Sequence, residues 1–380
     1  MNRPKILFVA ANEGSRWGGS EFLWSSAADK LVRRGCEVRV SVKHWDAPVR
    51  QVEALREAGC RIFYRRPPTF FSRLGRKVLP LPAYDRSHFH RAARGMDLVV
   101  ISQGGNIEGL PWMEFSRETG SKYAVIAQCA SETWAPDDAA AERLAAGYEG
   151  AIRPYFVSEA NLDLTRRQFT VSLARAQVIR NPFNVRYDAR PPWPSDESDR
   201  LSLACVARLE VSAKGQDLLL EVLNLPHWRE RNVRLSLVGG GINERMLRRR
   251  ADHLKLTTVE FQGYSNDIEG IWARHHALVL PSRCEGLPLA IVEAMLCSRP
   301  CIVTDVAGNS EMVRDGANGF LAAAPTINLL DAALNRAWDA RSRLRAMGET
   351  AAIDVRRTVP KDPGEDFAQE LLRLAGKSAA

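Results

Sequence analysis

Short apolar runs recur along this chain between segments of helical periodicity, and that alternation narrows the fold more than any other feature. ILFVAA near the N-terminus leads through a glycine-bearing loop, NEGSRWGGSE, into a helical run at 21–34 and then CEVRVSV. Strand, loop, helix and strand in that order make a βαβ unit, which needs a parallel sheet. LVVIS (98–102), YAVIAQ (123–128), AIRPYFVS (151–158) and AQVIRN (176–181) read as further extended pieces, with helical patterns at 137–149 and 159–169. A second series follows: LSLACVAR (201–208), VRLSLVGG (233–240), VEFQG (259–263), ALVLP (277–281) and CIVTD (301–305), with helices at 216–223 and 243–253. RPPWPSDESDR (190–200), rich in Pro, Ser and acids, reads as a linker. The pattern predicts two doubly wound α/β domains, residues 1–185 and 186–363. Ligands of such sheets sit at the carboxyl ends of the strands.

Composition excludes several classes. No run reaches the roughly 18 apolar residues of a membrane span. MNRPKILFVAAN has too short an apolar core for a secretory signal, so a cytoplasmic protein is expected. The seven cysteines are odd in number and form no CxxC pair, which fits reduced thiols. Cys297 and Cys301 suit core packing better than zinc, since histidines are sparse. Charge is uneven: residues 60–94 carry nine basic side chains against Asp85, an excess as large as the net charge of +8 on the whole chain. Aromatics including Phe63, Tyr64, Phe70, Phe71 and Phe89 are interleaved. This stretch reads as a solvated loop and helix face or as a peripheral contact with an anionic membrane. Nucleic acid is not an expected partner.

The densest chemistry lies in PSRCEGLPLAIVEAMLCSRPCIVTDVAGNSEMVRDGANGFL (281–321). Glu285 follows a strand in a loop with Gly286 and Leu287, Pro288 pre-sets the first turn of a helix, and Glu293 stands inside that helix after Leu289. At about 1.5 Å per residue the two carboxylates would lie roughly 10–12 Å apart. Exposed N–H groups between them make an anion site. Upstream, Arg208 and Lys214 in RLEVSAKGQD sit at a strand end beside a helix start. Two cations there can neutralise a leaving diphosphate. No Asp-x-Asp metal motif ends a strand, and Asp137–Asp138 reads as helix capping, so no metal or other cofactor is expected.

These residues together resemble the signature of retaining glycosyltransferases of the two-domain GT-B type, family 4. The resemblance implies two Rossmann-like domains facing across a cleft, with the terminal amphipathic helix (364–377) packing back on the first. It implies transfer of a sugar from a nucleotide-diphosphate donor to a hydroxyl acceptor without a metal. The acceptor would be a saccharide or lipid-linked saccharide in surface polysaccharide synthesis. The family pattern gives Arg208 and Lys214 the diphosphate, Glu285 the donor sugar and Glu293 the ribose. Gly18 and Gly19 match its GG-x-E loop, Gly239 its nucleotide-side loop, and Tyr264 its base pocket, through backbone contacts or as a core ring. Two positions depart from it. Gln128 stands where many members carry a histidine, and Gly308–Asn309 replaces a Gly-Gly pair whose left-handed backbone Asn can adopt. His275 and His276 gain no role from the resemblance and read as surface or packing residues. A sugar-nucleotide 2-epimerase and an inactive transferase-like binding subunit are the other uses of such a fold.

Overall fold

The apolar runs become the strands of two parallel sheets. The computed structural model describes residues 3–65, 86–195 and 200–376. The chain to Pro182, together with its end from Asp362, forms one compact unit, and Phe183–Lys361 forms the other. The first sheet holds β1 (Lys5–Ala10), β2 (Glu37–Lys43), β3 (Arg61–Arg65), β4 (Leu98–Gly105), β5 (Tyr123–Cys129), β6 (Arg153–Phe156) and β7 (Gln177–Val178) in the order β3-β2-β1-β4-β5-β6-β7. The second holds β8 (Leu201–Val206), β9 (Val233–Val238), β10 (Val259–Gly263), β11 (Ala277–Leu280), β12 (Cys301–Thr304) and β13 (Gly319–Ala322) in the order β10-β9-β8-β11-β12-β13. Each sheet therefore reverses its winding once, between β1 and β4 and between β8 and β11. In the first, Ile6 pairs with both Val38 and Leu98.

Helices cover both faces, which is why these strands are apolar without alternation. Ile6 and Phe8 pack with Leu23, Trp24 and Leu31 of helix α1 (Gly19–Arg33), while Leu7 and Val9 pack on the other face with Trp112 and Tyr148. The last helix, Pro363–Leu374, lies against α1. Phe367 meets the Tyr155 ring edge-on at 5.2 Å, and Gly364 comes so near that an added Cβ would stand 2.0 Å from Ser26 Oγ. Burying Phe367 and Leu371 stabilises this helix by about 1.5–3 kcal/mol each. The pairs Lys30–Asp362 and Arg34–Glu365 at its edge add little, about 0–1 kcal/mol each.

Two expectations need correction, and one strand was not foreseen. The stretch 190–200 is no linker where it is described: the division between units falls at Pro182–Phe183. Arg299 Nη2 donates to Pro192 O, and the Trp193 ring packs on His276 and under the Arg299 guanidinium. The start of the basic aromatic stretch is also not a loop: Arg61–Arg65 forms β3, paired to β2, and Arg65 is buried with Nη1 donating to Ser41 Oγ at 2.9 Å. Residues 66–85, which carry most of that stretch, lie outside the described residues. Finally, ANGFLA contains a strand, β13, hidden in the sequence by Asn318 and Gly319. Among the described residues no helix is long and apolar enough to cross a membrane.

Candidate active site in the second unit

The loops that leave β8 and β11 meet where the second sheet reverses, the place at which open α/β sheets bind ligands. Their contact is backbone on backbone. After β8 the chain forms a short helix, Val211–Lys214, and turns at Gly215 with φ 64° into the helix Gln216–Leu223. A Cβ on Gly215 would lie 2.0 Å from Pro281 O, so only glycine fits there. Arg283 N and Cys284 N both donate to Ala213 O, at 2.8 and 3.1 Å. Arg283 also grips Asp217 with two hydrogen bonds, 2.7 and 2.9 Å long.

This seam joins two of the predicted residues. Lys214 Nζ donates to Glu285 Oε1 at 2.6 Å, and Ser282 Oγ donates to the same oxygen at 2.6 Å. Glu285 is 5% exposed. Ser282 is held in turn by Thr304 Oγ1, which donates to Ser282 O at 2.6 Å. A charge-assisted bond to a carboxylate so little exposed is short and fixes both partners. The Cys205 thiol at the end of β8 is pushed up to about 12, chiefly by burial, and is inert at neutral pH.

Glu293 sits in the helix Leu289–Leu296, which is buried from Ala290 onward, and Pro288 occupies its N-cap instead of its first turn. Glu293 Oε1 accepts from Asn184 N at 2.9 Å and from Asn184 Nδ2 at 2.8 Å. Burial raises its carboxyl to about 7, and the two Asn184 bonds oppose that rise without cancelling it. The second acid is thus anchored by the chain that opens the second unit.

Other predicted residues take separate places. The Arg208 guanidinium pairs with Glu210 at 2.7 Å and is mostly exposed, so it does not share the Lys214–Glu285 bond. Gly239, at φ 138°, is required because a Cβ would lie 2.1 Å from Ala207 O; its close approach is to the chain itself. Tyr264 is 81% exposed, which rules out a core role for its ring. Gly286 O accepts from Gly308 N at 3.0 Å; Leu287 is buried and Leu289 half-buried. The left-handed residue in the following loop is Ala307 at φ 49°, not Asn309, which opens a short helix and donates from Nδ2 to Thr304 O. His275 and His276 are buried packing residues: Nε2 of His275 bonds Ser236 Oγ at 2.9 Å, and His276 Nδ1 accepts from Ser202 N at 3.0 Å.

In the first unit the Gly18 N–H donates to Glu21 Oε2 at 3.0 Å, so this donor is used within the loop, and Gly19 begins α1. Glu21 is buried, takes Ser20 Oγ at 2.6 Å and Asn12 Nδ2 at 3.3 Å, and is raised to about 7, mainly by desolvation. Gln128, at the end of β5, forms a reciprocal buried amide pair with Asn181: Asn181 Nδ2 donates to Gln128 Oε1 at 2.6 Å, and Gln128 Nε2 returns a 3.2 Å bond. Asp137 caps a helix, accepting from Ala140 N at 2.8 Å.

With this geometry in place, comparison with known proteins is direct. Residues 200–339 match the family Glycosyl transferases group 1. The match spans Lys214, Glu285 and Glu293. A UDP-Gal:alpha-D-GlcNAc-diphosphoundecaprenol alpha-1,3-galactosyltransferase of Escherichia coli is 42% identical over 20% of this chain and 20% of its own length. A GDP-mannose-dependent alpha-(1-6)-phosphatidylinositol monomannoside mannosyltransferase of Mycolicibacterium smegmatis is 25% identical over 90% of this chain and 91% of its own. Several curated relatives are matched over only about a fifth to a third of their length. The structure of Anabaena HepE in complex with UDP superposes with a TM-score of 0.75, at 18% identity, covering 97% of this chain and 100% of that one. That likeness is one of fold. The chain has two parallel-sheet Rossmann-like domains of the GT-B kind.

Sequence reasoning missed the partners that hold the site. Asn184, Ser282 and Asn181 each fix a predicted residue, yet none stands in a spacing that advertises it. Glu21 was visible only as the last letter of GG-x-E.

Proposed function

We propose that the chain is a metal-independent, retaining glycosyltransferase of family 4 that moves a sugar from a nucleotide-diphosphate donor to a hydroxyl of a saccharide or lipid-linked saccharide. The observation that carries this reading is the Lys214–Glu285 bond at the reversal point of a sheet within the domain that matches group 1 glycosyltransferases. As the glycosidic C–O bond breaks, negative charge grows on the departing diphosphate. The Lys214 ammonium and the Arg208 guanidinium stabilise it. Glu285 orients the sugar through its hydroxyls, and Glu293 accepts from the ribose. The acceptor oxygen bonds to the anomeric carbon on the face the phosphate leaves, and its proton passes to a phosphate oxygen. Gln128 cannot carry that proton, because an amide does not titrate near neutral pH.

The relatives support the substrate classes. The E. coli protein is named for UDP-Gal and a diphosphoundecaprenol-linked sugar, the M. smegmatis protein for GDP-mannose and a phosphatidylinositol mannoside. The basic aromatic stretch 60–94 would bring such an acceptor's membrane to the enzyme at the cytoplasmic face. Flotation with anionic liposomes at low salt tests this contact: bound protein is expected, and none bound removes it.

A thermal-shift screen of nucleotide sugars, followed by transfer assays and NMR of the product's anomeric centre, tests the function. One donor should stabilise the protein and yield a product of retained configuration. Donor consumed without acceptor would instead mark an epimerase, and a protein that binds donor but never turns it over would mark an inactive subunit.

A further inference from the structure

Both hydrogen bonds that reach Glu293 end on one of its two oxygens. Asn184 N and Asn184 Nδ2 donate to Oε1, and among the described residues Oε2 takes no hydrogen bond. The carboxylate is thus held by one edge, and Oε2 is the oxygen left for an incoming hydroxyl.

Asn184 is itself held on a fixed platform. Two positions on, Arg186 grips Glu269 through its backbone N at 2.9 Å and through Nε and Nη2 at 3.1 and 2.9 Å. Tyr187 Oη donates to Arg356 O and Val359 O at 3.1 and 3.3 Å, and Arg356 Nε returns a 3.0 Å bond to Tyr187 O. A segment tied on both sides of its backbone cannot drift, so the Asn184 amide is oriented before any ligand arrives.

The charged groups on the elements around Glu293 are spent elsewhere. Arg186 is taken by Glu269, Arg356 by the carbonyls of Tyr187, Ala352 and Leu296, Arg299 by carbonyls including Trp272 O and His275 O, and Lys214 by Glu285. Cys297, one turn along the same helix, is pushed up to about 12 chiefly by burial and is neutral. Asn184 alone therefore opposes the burial of this acid. An aspartate of the same shape would set a second carboxyl there instead of a donor. We propose that Asn184 is a positioning residue of the donor site, which holds Oε1 of Glu293 so that Oε2 is directed, ionised, at the ribose of the nucleotide sugar. The proposal rests on the reading of Glu293 as the ribose acceptor.

Two measurements on the full-length protein test it. The first is unfolding by denaturant between pH 5 and 9. Asn184→Ala removes one bond to the ionised carboxyl, so the fall in stability with rising pH should extend about one pH unit higher than in the wild type. In a Glu293→Gln background the same substitution should move no pH dependence. The second is donor kinetics with the nucleotide sugar found by the screen. For Asn184→Ala, KM should rise about fivefold at pH 7 and converge on the wild type near pH 9, with kcat held, since a ribose contact is made equally in the ground and transition states. Asn184→Asp, which keeps the shape and loses the donor, should have a higher KM than Asn184→Ala throughout. A purely packing role predicts the reverse, a near-normal Asp variant. Coincident pH profiles for wild type and Asn184→Ala, or a loss confined to kcat, overturn the proposal. A wild type that binds no nucleotide sugar removes the donor reading and the ribose role with it, while the unfolding shift still shows whether Asn184 governs Glu293.

Discussion

Lys214 and Glu285 are separated by 71 positions in the chain and by 2.6 Å in space. They come from the two loops that leave the sheet on either side of its reversal. Gly215 permits the closeness, because it lets the β8 loop rest on Pro281 O with no side chain between. The site is therefore built on backbone contact, and the closeness of its two charged groups depends on a glycine.

Gly215→Ala should damage the protein as a whole. The new methyl would lie 2.0 Å from a carbonyl oxygen on a left-handed residue. A loss of about 1–3 kcal/mol in urea unfolding, with reduced transfer activity in what remains folded, is the expected result. An unchanged midpoint would show that the seam is loose.

Glu293 should make stability fall as pH rises. Its carboxyl is raised in the folded protein from 4.5 to about 7, so the native state binds more protons than the unfolded chain between those values. The ionised form is disfavoured by about 3 kcal/mol, a cost absent below pH 4.5 and complete above about 7. Glu21 adds a slope of the same sign in the first unit. Denaturant unfolding between pH 5 and 8 should show the decline, and Glu293→Gln, which keeps an acceptor for Asn184, should flatten the part that belongs to the second unit.

The same residue should make donor binding depend on pH. A protonated carboxyl accepts fewer hydroxyl hydrogens, so KM for the nucleotide sugar should rise as pH falls below about 7. Glu293→Gln should have a high KM at every pH. A wild-type KM flat from pH 6 to 8 would contradict the ribose role.

Gln128→Leu should cost about 1–3 kcal/mol, because it leaves the buried Asn181 amide without its reciprocal partner. The double variant with Asn181→Leu should be less damaging than the sum of the two singles. Additive losses, measured by the same unfolding curves, would mean the pair does not act as a unit.

How far the sequence reached can be seen at particular residues. Continuous apolar runs such as ILFV announced buried parallel strands, and Pro288 before an apolar stretch announced the 289–296 helix. Strand β3 was obscured because its edge position tolerates arginines, and β13 because it is only four residues long and begins at a glycine. The Pro-rich stretch at 190–195 looked like a tether since nothing in its composition reveals that Arg299, more than a hundred positions later, holds Pro192 O. Glu285 and Glu293 were legible from spacing and context. Their holders were not, because a Ser three residues upstream and an Asn at the unit's start are common in any loop.

The most direct test of the central claim is the turnover of Lys214→Ala against the wild type, with the donor identified by the nucleotide-sugar screen and with EDTA present in both assays. The wild type should keep its rate in EDTA, and the variant should lose on the order of 10²-fold in kcat, as removal of a charge stabiliser does. A variant that turns over at the wild-type rate, or a wild type stopped by EDTA, would contradict the account.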